Sequence, residues 1–308
     1  MKKILKYIKQ PKKIILYLMN KGFFNWLDDE TYLKIKYRLI MKKKLDISNP
    51  KTFNEKIQWL KIHDRKDIYT TMVDKYEAKK YISNIIGDDY IVPTLGIYDS
   101  FDEIDFEKLP NEFVIKPTHT SGNVYICKNK NEINYKKLKR IIRKWLRRKY
   151  YYTHREWPYK NIKPRIIIEK YMSDEEQKEL IDYKLFCFNT IPKLTLVCSE
   201  RFSSDNMCET FFDENWNVLD ITEGNHRVDK NIKKPNNYEE MKEIAKKLSE
   251  DTLFTRIDFY EINGKIYFGE ITFYPNSGYE KFEPKEYDKI LGDWIKLERN
   301  KGENINEN

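Results

Sequence analysis

The fold is best indicated by residues 256–272, which read RIDFYEINGKIYFGEIT. Apolar and polar residues alternate on both sides of an Asn-Gly dipeptide at 263–264, a pair typical of a tight two-residue turn. The stretch therefore predicts a β-hairpin. Because its two strands run side by side, Asp258 and Glu270 are expected to share one face of the hairpin.

Two carboxylates at neighbouring strand positions repel each other unless a cation joins them. Mg²⁺ prefers hard oxygen ligands and few protein carboxylates, and it commonly binds together with nucleotide phosphates. Arg256 precedes Asp258 by two residues, so its guanidinium points to the same face and could stabilise a phosphoryl group in transfer. The alternative is a surface hairpin with ordinary charges, which the flanking apolar residues disfavour.

The rest of the chain mixes helix and strand patterns in an order typical of an α+β protein. Helices are predicted within 1–50 and at 55–63, 74–86, 135–149 and 238–249, and strands at 91–98, 113–116, 124–127, 165–171, 180–188, 193–199, 256–261 and 265–272. We group them into a basic amphipathic helical arm (1–50), a helical region (51–110), a central lobe (111–175), a C-terminal lobe (176–298) and a disordered tail (299–308).

Composition limits the class of protein. The chain has 308 residues, 40 % of them hydrophobic, which suits an enzyme-sized globule of two or three lobes. Because no run of 18 apolar residues exists, a membrane-spanning helix is not expected. We read no secretory signal and expect a cytoplasmic protein. The four cysteines form no C-x-x-C pair and are expected to be reduced and buried.

The positive charge is concentrated at the N-terminus. Residues 1–44 hold thirteen Lys/Arg and three Asp/Glu, against a net charge of +9 for the whole chain. Lysines mixed with large apolar residues suit a helix that lies on an anionic membrane, although an ordinary helix packed on the body has the same pattern. Residues 136–149 carry nine further Lys/Arg without any nucleic-acid-binding signature, so we expect no nucleic-acid partner.

Two lysines lie where packing does not explain them. Lys116 ends an apolar strand, and Lys184 lies inside another. The loop after Lys116 contains Ser121 and Gly122, whose backbone N–H groups could face phosphate, although it is not a Walker A loop. The residues at the end of the strand IIIEKYM, 166–172, could offer backbone groups to the edge of an adenine ring.

In this order the motifs resemble the ATP-grasp superfamily, and more narrowly the TupA-like ATP-grasp family, which is associated with teichuronopeptide and capsular polysaccharide synthesis. The resemblance covers roughly residues 45–295. It rests on FNEKIQWL at 53–60, DKY at 74–76, DYKLFCF at 182–188 and FGEITF at 268–273.

The resemblance implies two α+β lobes that sandwich ATP, a helical N-terminal part, and ATP and Mg²⁺ as cofactors. It assigns phosphate contacts to Lys75, Lys116 and Lys184, the covering loop to Ser121 and Gly122, adenine contacts to Glu169, Lys170 and Met172, metal ligation to Asp258, Glu270 and Thr272, and catalytic roles to Arg256 and Lys184. Thr272 stands where such sites usually carry asparagine, so the third ligand is open, and Asn276 is a candidate replacement.

The implied reaction is ATP-dependent joining of a carboxylate to an amine through an acyl phosphate. The expected partners are a uronic acid or glutamyl carboxylate of a polysaccharide precursor and an amino acid or other amine. Arg155, after an apparently exposed basic and aromatic stretch, could grip the acceptor carboxylate, or it could be a solvated helix end. His119, within the phosphate loop, could also contact substrate.

Two other functions remain open from the sequence. A glycosyltransferase of capsular polysaccharide synthesis would commonly need an Asp-x-Asp metal motif, which the chain lacks. A non-catalytic scaffold docked on the membrane is favoured by the basic arm alone. Incubation with ATP or with UDP-sugars separates these functions from the ligase.

Overall fold

The structure is a computed structural model that describes residues 11–174, 180–199, 207–224 and 226–297. The first ten residues of the predicted arm and the predicted tail at 299–308 lie outside these ranges. In the described part, every ladder between named strands is antiparallel, and helices accompany both larger sheets. The α+β class predicted from the sequence is therefore confirmed.

The N-terminal part is helical. Its helices are α1 (Pro11–Asn20), α2 (Asp29–Met41), α3 (Phe53–His63), α4 (Ile68–Val73) and α5 (Glu77–Ile86). The predicted capping box opens α3: the Thr52 hydroxyl accepts the Glu55 N–H at 3.3 Å, and the Glu55 carboxylate accepts the Thr52 N–H at 3.1 Å.

The helix predicted at 74–86 begins three residues later than expected. The Asp74 carboxylate accepts the backbone N–H of Tyr76 at 2.8 Å and that of Glu77 at 3.3 Å. Such side-chain bonds to following N–H groups favour a turn over helix interior, so the chain turns here before α5 starts.

A four-stranded sheet forms the first lobe. Its strands are β1 (Thr94–Tyr98), β2 (Phe113–Pro117), β3 (Tyr125–Cys127) and β4 (Ile166–Lys170), in the spatial order β1-β4-β2-β3. Between β3 and β4 in the chain lie α6 (Tyr135–Leu146) and α7 (Tyr151–His154). Leu138 and Ile142 of α6 share a buried cluster with Phe113 and Ile115 of β2, which fixes the face that α6 leaves outside.

A five-stranded sheet forms the second lobe. The elements are β5 (Asp182–Phe188), β6 (Ile191–Ser199), β7 (Cys208–Asp213), β8 (Thr222–Glu223), α8 (Tyr238–Leu248), β9 (Phe254–Ile262), β10 (Lys265–Thr272), β11 (Phe282–Glu283) and α9 (Glu286–Trp294). The sheet order is β10-β9-β5-β6-β7, and β8 pairs separately with β11. Of these, β7, β8, β11 and α9 were not predicted.

The lobe also buries the N-terminal helix α3. Phe53 of α3 packs edge-on against Phe254 of β9, with ring centroids 5.1 Å apart, and both belong to the largest buried cluster. The four cysteines are buried and free. Among the helices of the described ranges, none has the length and apolar character needed to cross a bilayer.

Candidate active site

The predicted hairpin is formed by β9 and β10, and a β-bulge sets its register. The pairing shifts between Phe268 and Glu270, so that Glu270 lies directly opposite Asp258. Gly269 occupies the bulge, where an added Cβ would lie 3.0 Å from the backbone oxygen of Asp258. The absence of a side chain at Gly269 thus allows the close approach that brings the two carboxylates to one face.

Asp258 is enclosed by cations. Arg256 donates to both carboxylate oxygens, from Nε at 2.6 Å and from NH2 at 2.7 Å, and Lys184 donates at 2.5 Å. Burial of Asp258 acts to raise its pKa, but Arg256 and Lys184 outweigh burial and hold that pKa below its usual range. Asp258 therefore remains ionised, and its partners are fixed beside it.

Glu270 is the more open carboxylate. Its side chain is 33 % exposed, and its nearest cations are Arg256 at 3.6 Å and Lys75 at 3.9 Å. The Thr272 hydroxyl lies 3.5 Å from Glu270 and accepts a hydrogen bond from Arg256 at 3.2 Å. Glu270 thus has free acceptor capacity, whereas Thr272 already serves Arg256.

Asp258 and Glu270 have oxygen atoms that could bind Mg²⁺. Asp258 accepts three hydrogen bonds of the roughly four that a carboxylate can take, and Glu270 accepts fewer. Across the described ranges, no three His, Cys, Asp or Glu side chains form a ready metal cluster. Two carboxylates with spare oxygens fit Mg²⁺ that arrives with phosphates, since this ion takes few protein ligands.

A second set of charges lies on the four-stranded sheet. Lys116 of β2 contacts Glu169 of β4 at 2.7 Å, and Lys79 of α5 pairs with the same carboxylate. Burial acts to raise the pKa of Glu169, but Lys116 and Lys79 lower it to about 2. The sequence did not single out Lys79, whose place in the helix gave no sign that it reaches the sheet.

The loop that follows β2, the predicted phosphate loop, contacts residues next to α5 and α6. Lys75 donates to the backbone oxygen of Thr120 at 2.8 Å, and Arg148 donates to the Asn123 side chain at 3.0 Å. Gly122 has φ +76°, a value that glycine adopts without strain. Ser121, the residue before it, is partly exposed.

His119 lies inside the loop that follows β2. The residue is only 3 % exposed, and burial lowers the pKa of its imidazole, which favours the neutral ring. The suggested substrate contact of His119 stays a prediction.

A cavity of about 400 Å³ lies where the two lobes meet. One wall is the exit of β4, formed by Lys170, Tyr171 and Met172, and the other is the end of the hairpin, including Ile262 and Tyr267. The predicted adenine-contacting residues Lys170 and Met172 therefore line this cavity. Glu169, the third of them, is instead paired with Lys79 and Lys116.

Arg155 is buried against the N-terminal helical part. Arg155 is 1 % exposed and donates to the backbone oxygens of Phe24 and Leu27 at 3.3 and 3.1 Å. Its guanidinium also stacks over Tyr32 of α2 at 4.3 Å. The expectation of an exposed Arg155 that grips substrate is wrong, because the side chain instead fastens the N-terminal helices to the body.

Asn276 belongs to an acidic group that the sequence did not reveal. Its amide donates to Glu223 at 3.1 Å and also to Glu280. Burial, followed by the charges of Glu280 and Glu209, raises the pKa of Glu223 well above its usual range. Glu209 and Glu223 are far in the chain from Asn276 and Glu280, so only the folded arrangement brings the four residues together.

Comparison with known proteins identifies a family. A family model described as TupA-like ATPgrasp matches residues 55–296, and no curated protein matches the chain. D-alanine–D-alanine ligase from Bacillus anthracis complexed with ATP is 15 % identical, with 73 % of this chain and 65 % of that chain covered and a TM-score of 0.45.

Two further solved structures are similar. The ATP-grasp ligase PsnB complexed with minimal precursor is 8 % identical, with coverages of 74 % and 60 % and a TM-score of 0.42. N5-carboxyaminoimidazole synthetase from Staphylococcus aureus is 14 % identical, with coverages of 66 % and 44 % and a TM-score of 0.31. The chain spans less than two thirds of the length of each of these three proteins.

Proposed function

Because the chain belongs to the TupA-like ATP-grasp family, we propose that it is an ATP-dependent ligase that joins a carboxylate to an amine. The observation that carries the proposal is the β9–β10 hairpin, where Arg256 and Lys184 flank Asp258 while Glu270 stays open. Such a set neutralises phosphate charge and leaves space for a reacting group.

The cavity between the lobes suits the base of ATP. Lys170 and Met172 at the exit of β4 offer backbone groups to an adenine edge, and Tyr267 offers an aromatic wall. Phosphates would then extend toward Lys116 and Lys75, with Ser121 and Gly122 covering them. Cations and loop N–H groups are the usual partners of phosphate oxygens.

The chemistry needs activation of a poor electrophile. A carboxylate oxygen attacks the γ-phosphorus, the bond from phosphorus to the ADP oxygen breaks, and an acyl phosphate forms. The amine nitrogen then attacks the acyl carbon, the carbon–oxygen bond to phosphate breaks, and the amine loses a proton as the amide forms. Arg256 and Lys184 would hold the transferring group in position and stabilise its charge.

Glu270 and Asp258 would hold Mg²⁺ between them and the nucleotide, with Thr272 or Asn276 as neighbouring oxygen donors. When bound, the ion supplies positive charge against the phosphates. The structure favours Glu270 as the principal ligand, because Asp258 already accepts three hydrogen bonds.

The family association with surface polysaccharides supports a substrate class. We propose that the carboxylate belongs to a uronic acid or glutamyl group of a polysaccharide precursor and that the amine is an amino acid or another small amine. Positively charged side chains at the phosphate end of the site would attract the carboxylate substrate.

The test uses the full chain with Mg²⁺ and ATP, candidate uronic acids and hydroxylamine as the trapping amine. An acyl phosphate reacts with hydroxylamine to give a hydroxamate, which mass spectrometry detects, together with released ADP. Sugar transfer from UDP-sugars without ADP release would instead support a glycosyltransferase. The Lys246→Gln variant serves as control, because Lys246 is an exposed residue of α8.

We also propose that residues 1–44 bind peripherally to the inner face of an anionic membrane. Phe23 and Trp26 are 68 % and 79 % exposed, beside the exposed Lys21. Because Tyr32 and Leu33 of α2 are buried in the body, removal of the whole arm would disturb folding. Substitution of Phe23 and Trp26 by serine, followed by vesicle co-sedimentation, tests the contact.

A further inference from the structure

The exposed side of α6 is strongly basic. Residues 135–149 contain nine Lys/Arg and no Asp or Glu. Leu138, Ile142 and Trp145 face the core, so the cations are left outside. Within the described ranges, the ion pairs of this segment all involve Asp102, which contacts Lys139 and, at 3.6 Å, Arg143.

Four of the cations form a straight row. We call this row the basic face; it consists of Lys136, Arg140, Arg143 and Arg147, all exposed. Their spacing of four, three and four residues keeps them on one side of a helix, over about 16 Å of its length. Like charges at such spacings repel and destabilise a helix, so the row is better explained by an anionic partner than by helix stability.

The end of the segment reaches the proposed ATP site. Arg148 follows the basic face directly and donates to Asn123 of the phosphate loop at 3.0 Å. Its guanidinium also lies over the ring of Tyr150, 5.1 Å from the centroid. A chain bound along α6 would therefore be led to the loop that follows Lys116.

We propose that the basic face binds an acidic polysaccharide, a chain of uronate sugars, and guides one of its carboxylates toward the site; this rests on the proposed ligase function. The cations advance by about 4.5 to 6 Å along the helix. An extended polypeptide advances about 3.3 Å per residue and turns alternate side chains to opposite faces, so its carboxylates on one face recur at about 6.6 Å, a wider spacing than that of the cations.

An aromatic ring at the start of the row supports a sugar chain. Tyr135 is 41 % exposed at the start of α6. An exposed aromatic face packs on the apolar face of a sugar ring, while the cations that follow it pair with carboxylates. Polypeptide polyanions and lipid headgroups have no comparable use for such a ring.

The experiment measures binding of fluorescently labelled polygalacturonate by anisotropy at low salt. The test variant carries Lys136→Gln, Arg140→Gln and Arg147→Gln. The matched control carries Lys230→Gln, Lys233→Gln and Lys246→Gln, which remove the same charge from exposed positions of the other lobe. We expect the test variant to bind about tenfold more weakly with a smaller salt dependence, because three ionic contacts are lost, and the control to bind within about twofold of the wild type.

Several results would overturn the proposal. One is equal affinity of the test variant and the wild type for polygalacturonate. Another is a loss of affinity in the control as large as that in the test variant. A third is α6-dependent binding of polyglutamate or of phosphatidylglycerol vesicles that is tighter than the binding of polygalacturonate. Monomeric galacturonate should not compete at matched carboxylate concentration, and competition by it would also count against a polymer track. ATP-dependent thermal stabilisation, measured in parallel, tests the proposed function separately, since ATP binding should persist in the test variant.

Discussion

The two carboxylates of the hairpin should respond differently to the loss of their charge. Asp258→Asn keeps the shape of the side chain but leaves Arg256 and Lys184 without their shared anion. Glu270→Gln removes a charge from a side chain whose nearest cations are 3.6 and 3.9 Å away. The sequence alone gives both residues the same role, so the contrast tests the structure.

The expected magnitudes follow from burial. The side chains of Asp258, Arg256 and Lys184 are 3 %, 12 % and 11 % exposed. Removal of one partner from a buried ion pair costs about 3–5 kcal/mol. For a protein of this size each kcal/mol lowers Tm by about 2–4 °C, so Asp258→Asn should lower Tm by about 10 °C. Glu270→Gln should cost no more than about 1 kcal/mol, as for a surface pair.

The assay combines thermal denaturation without nucleotide and ADP release with Mg²⁺ and substrate. We expect Glu270→Gln to keep a Tm within about 3 °C of the wild type and to lose about a hundredfold or more in turnover. Asp258→Asn should lose both stability and turnover. Equal Tm values for Asp258→Asn and the wild type, or an equally large fall for Glu270→Gln, would refute the reasoning.

Three further outcomes are expected. Lys116→Gln removes the cation 2.7 Å from Glu169 and should raise the Kd for ATP about tenfold, measured by calorimetry, because a charged hydrogen bond to phosphate is lost; an unchanged Kd would contradict the phosphate role. Arg155→Ala should reduce the free energy of unfolding by roughly 3 kcal/mol and lower Tm by several degrees without changing the Kd for ATP, because the contacts of Arg155 are structural. A large loss of ATP affinity with a normal Tm would contradict this. Gly278→Ala should lower Tm sharply, since Gly278 has φ +66° and an added Cβ would lie 2.9 Å from the Cβ of Ile57; a wild-type Tm would show that the turn can relax.

Local signals predicted much of the fold. The Asn-Gly turn, the alternation around it and the Thr52 capping box each depend on residues close in sequence, and the structure contains all three features. The hairpin predicted that Asp258 and Glu270 share one face, but a regular hairpin around Asn263-Gly264 would pair Glu270 with Ile257. The bulge at Gly269 shifts the register and brings Glu270 opposite Asp258, and alternation alone does not predict that bulge.

Distant contacts explain what the sequence did not predict. Arg155 resembled a solvated helix end because its neighbours are basic and aromatic, yet α2 lies over it and Tyr32 covers its guanidinium. Lys79 joins Glu169 across ninety residues of chain, and Asn276 joins Glu223 across more than fifty. The strands β7, β8 and β11 are short or lie at an edge, so their periodicity is weak.

The pairing of charges clarifies how such a site can be ready for ATP. A buried lysine without an anion tends to lose its proton, but Lys116 and Lys184 are held by Glu169 and Asp258, and the pKa of each lysine is raised despite burial. The cations are therefore charged and fixed before a nucleotide arrives, which is the preorganisation that stabilises charge in a transition state. The carboxylate left over is Glu270, the more exposed of the pair. Lys116 and Lys184 each have an anion in direct contact, whereas the cations around Glu270 lie 3.6 and 3.9 Å away. A cation that entered with the phosphates would therefore balance the charge of Glu270.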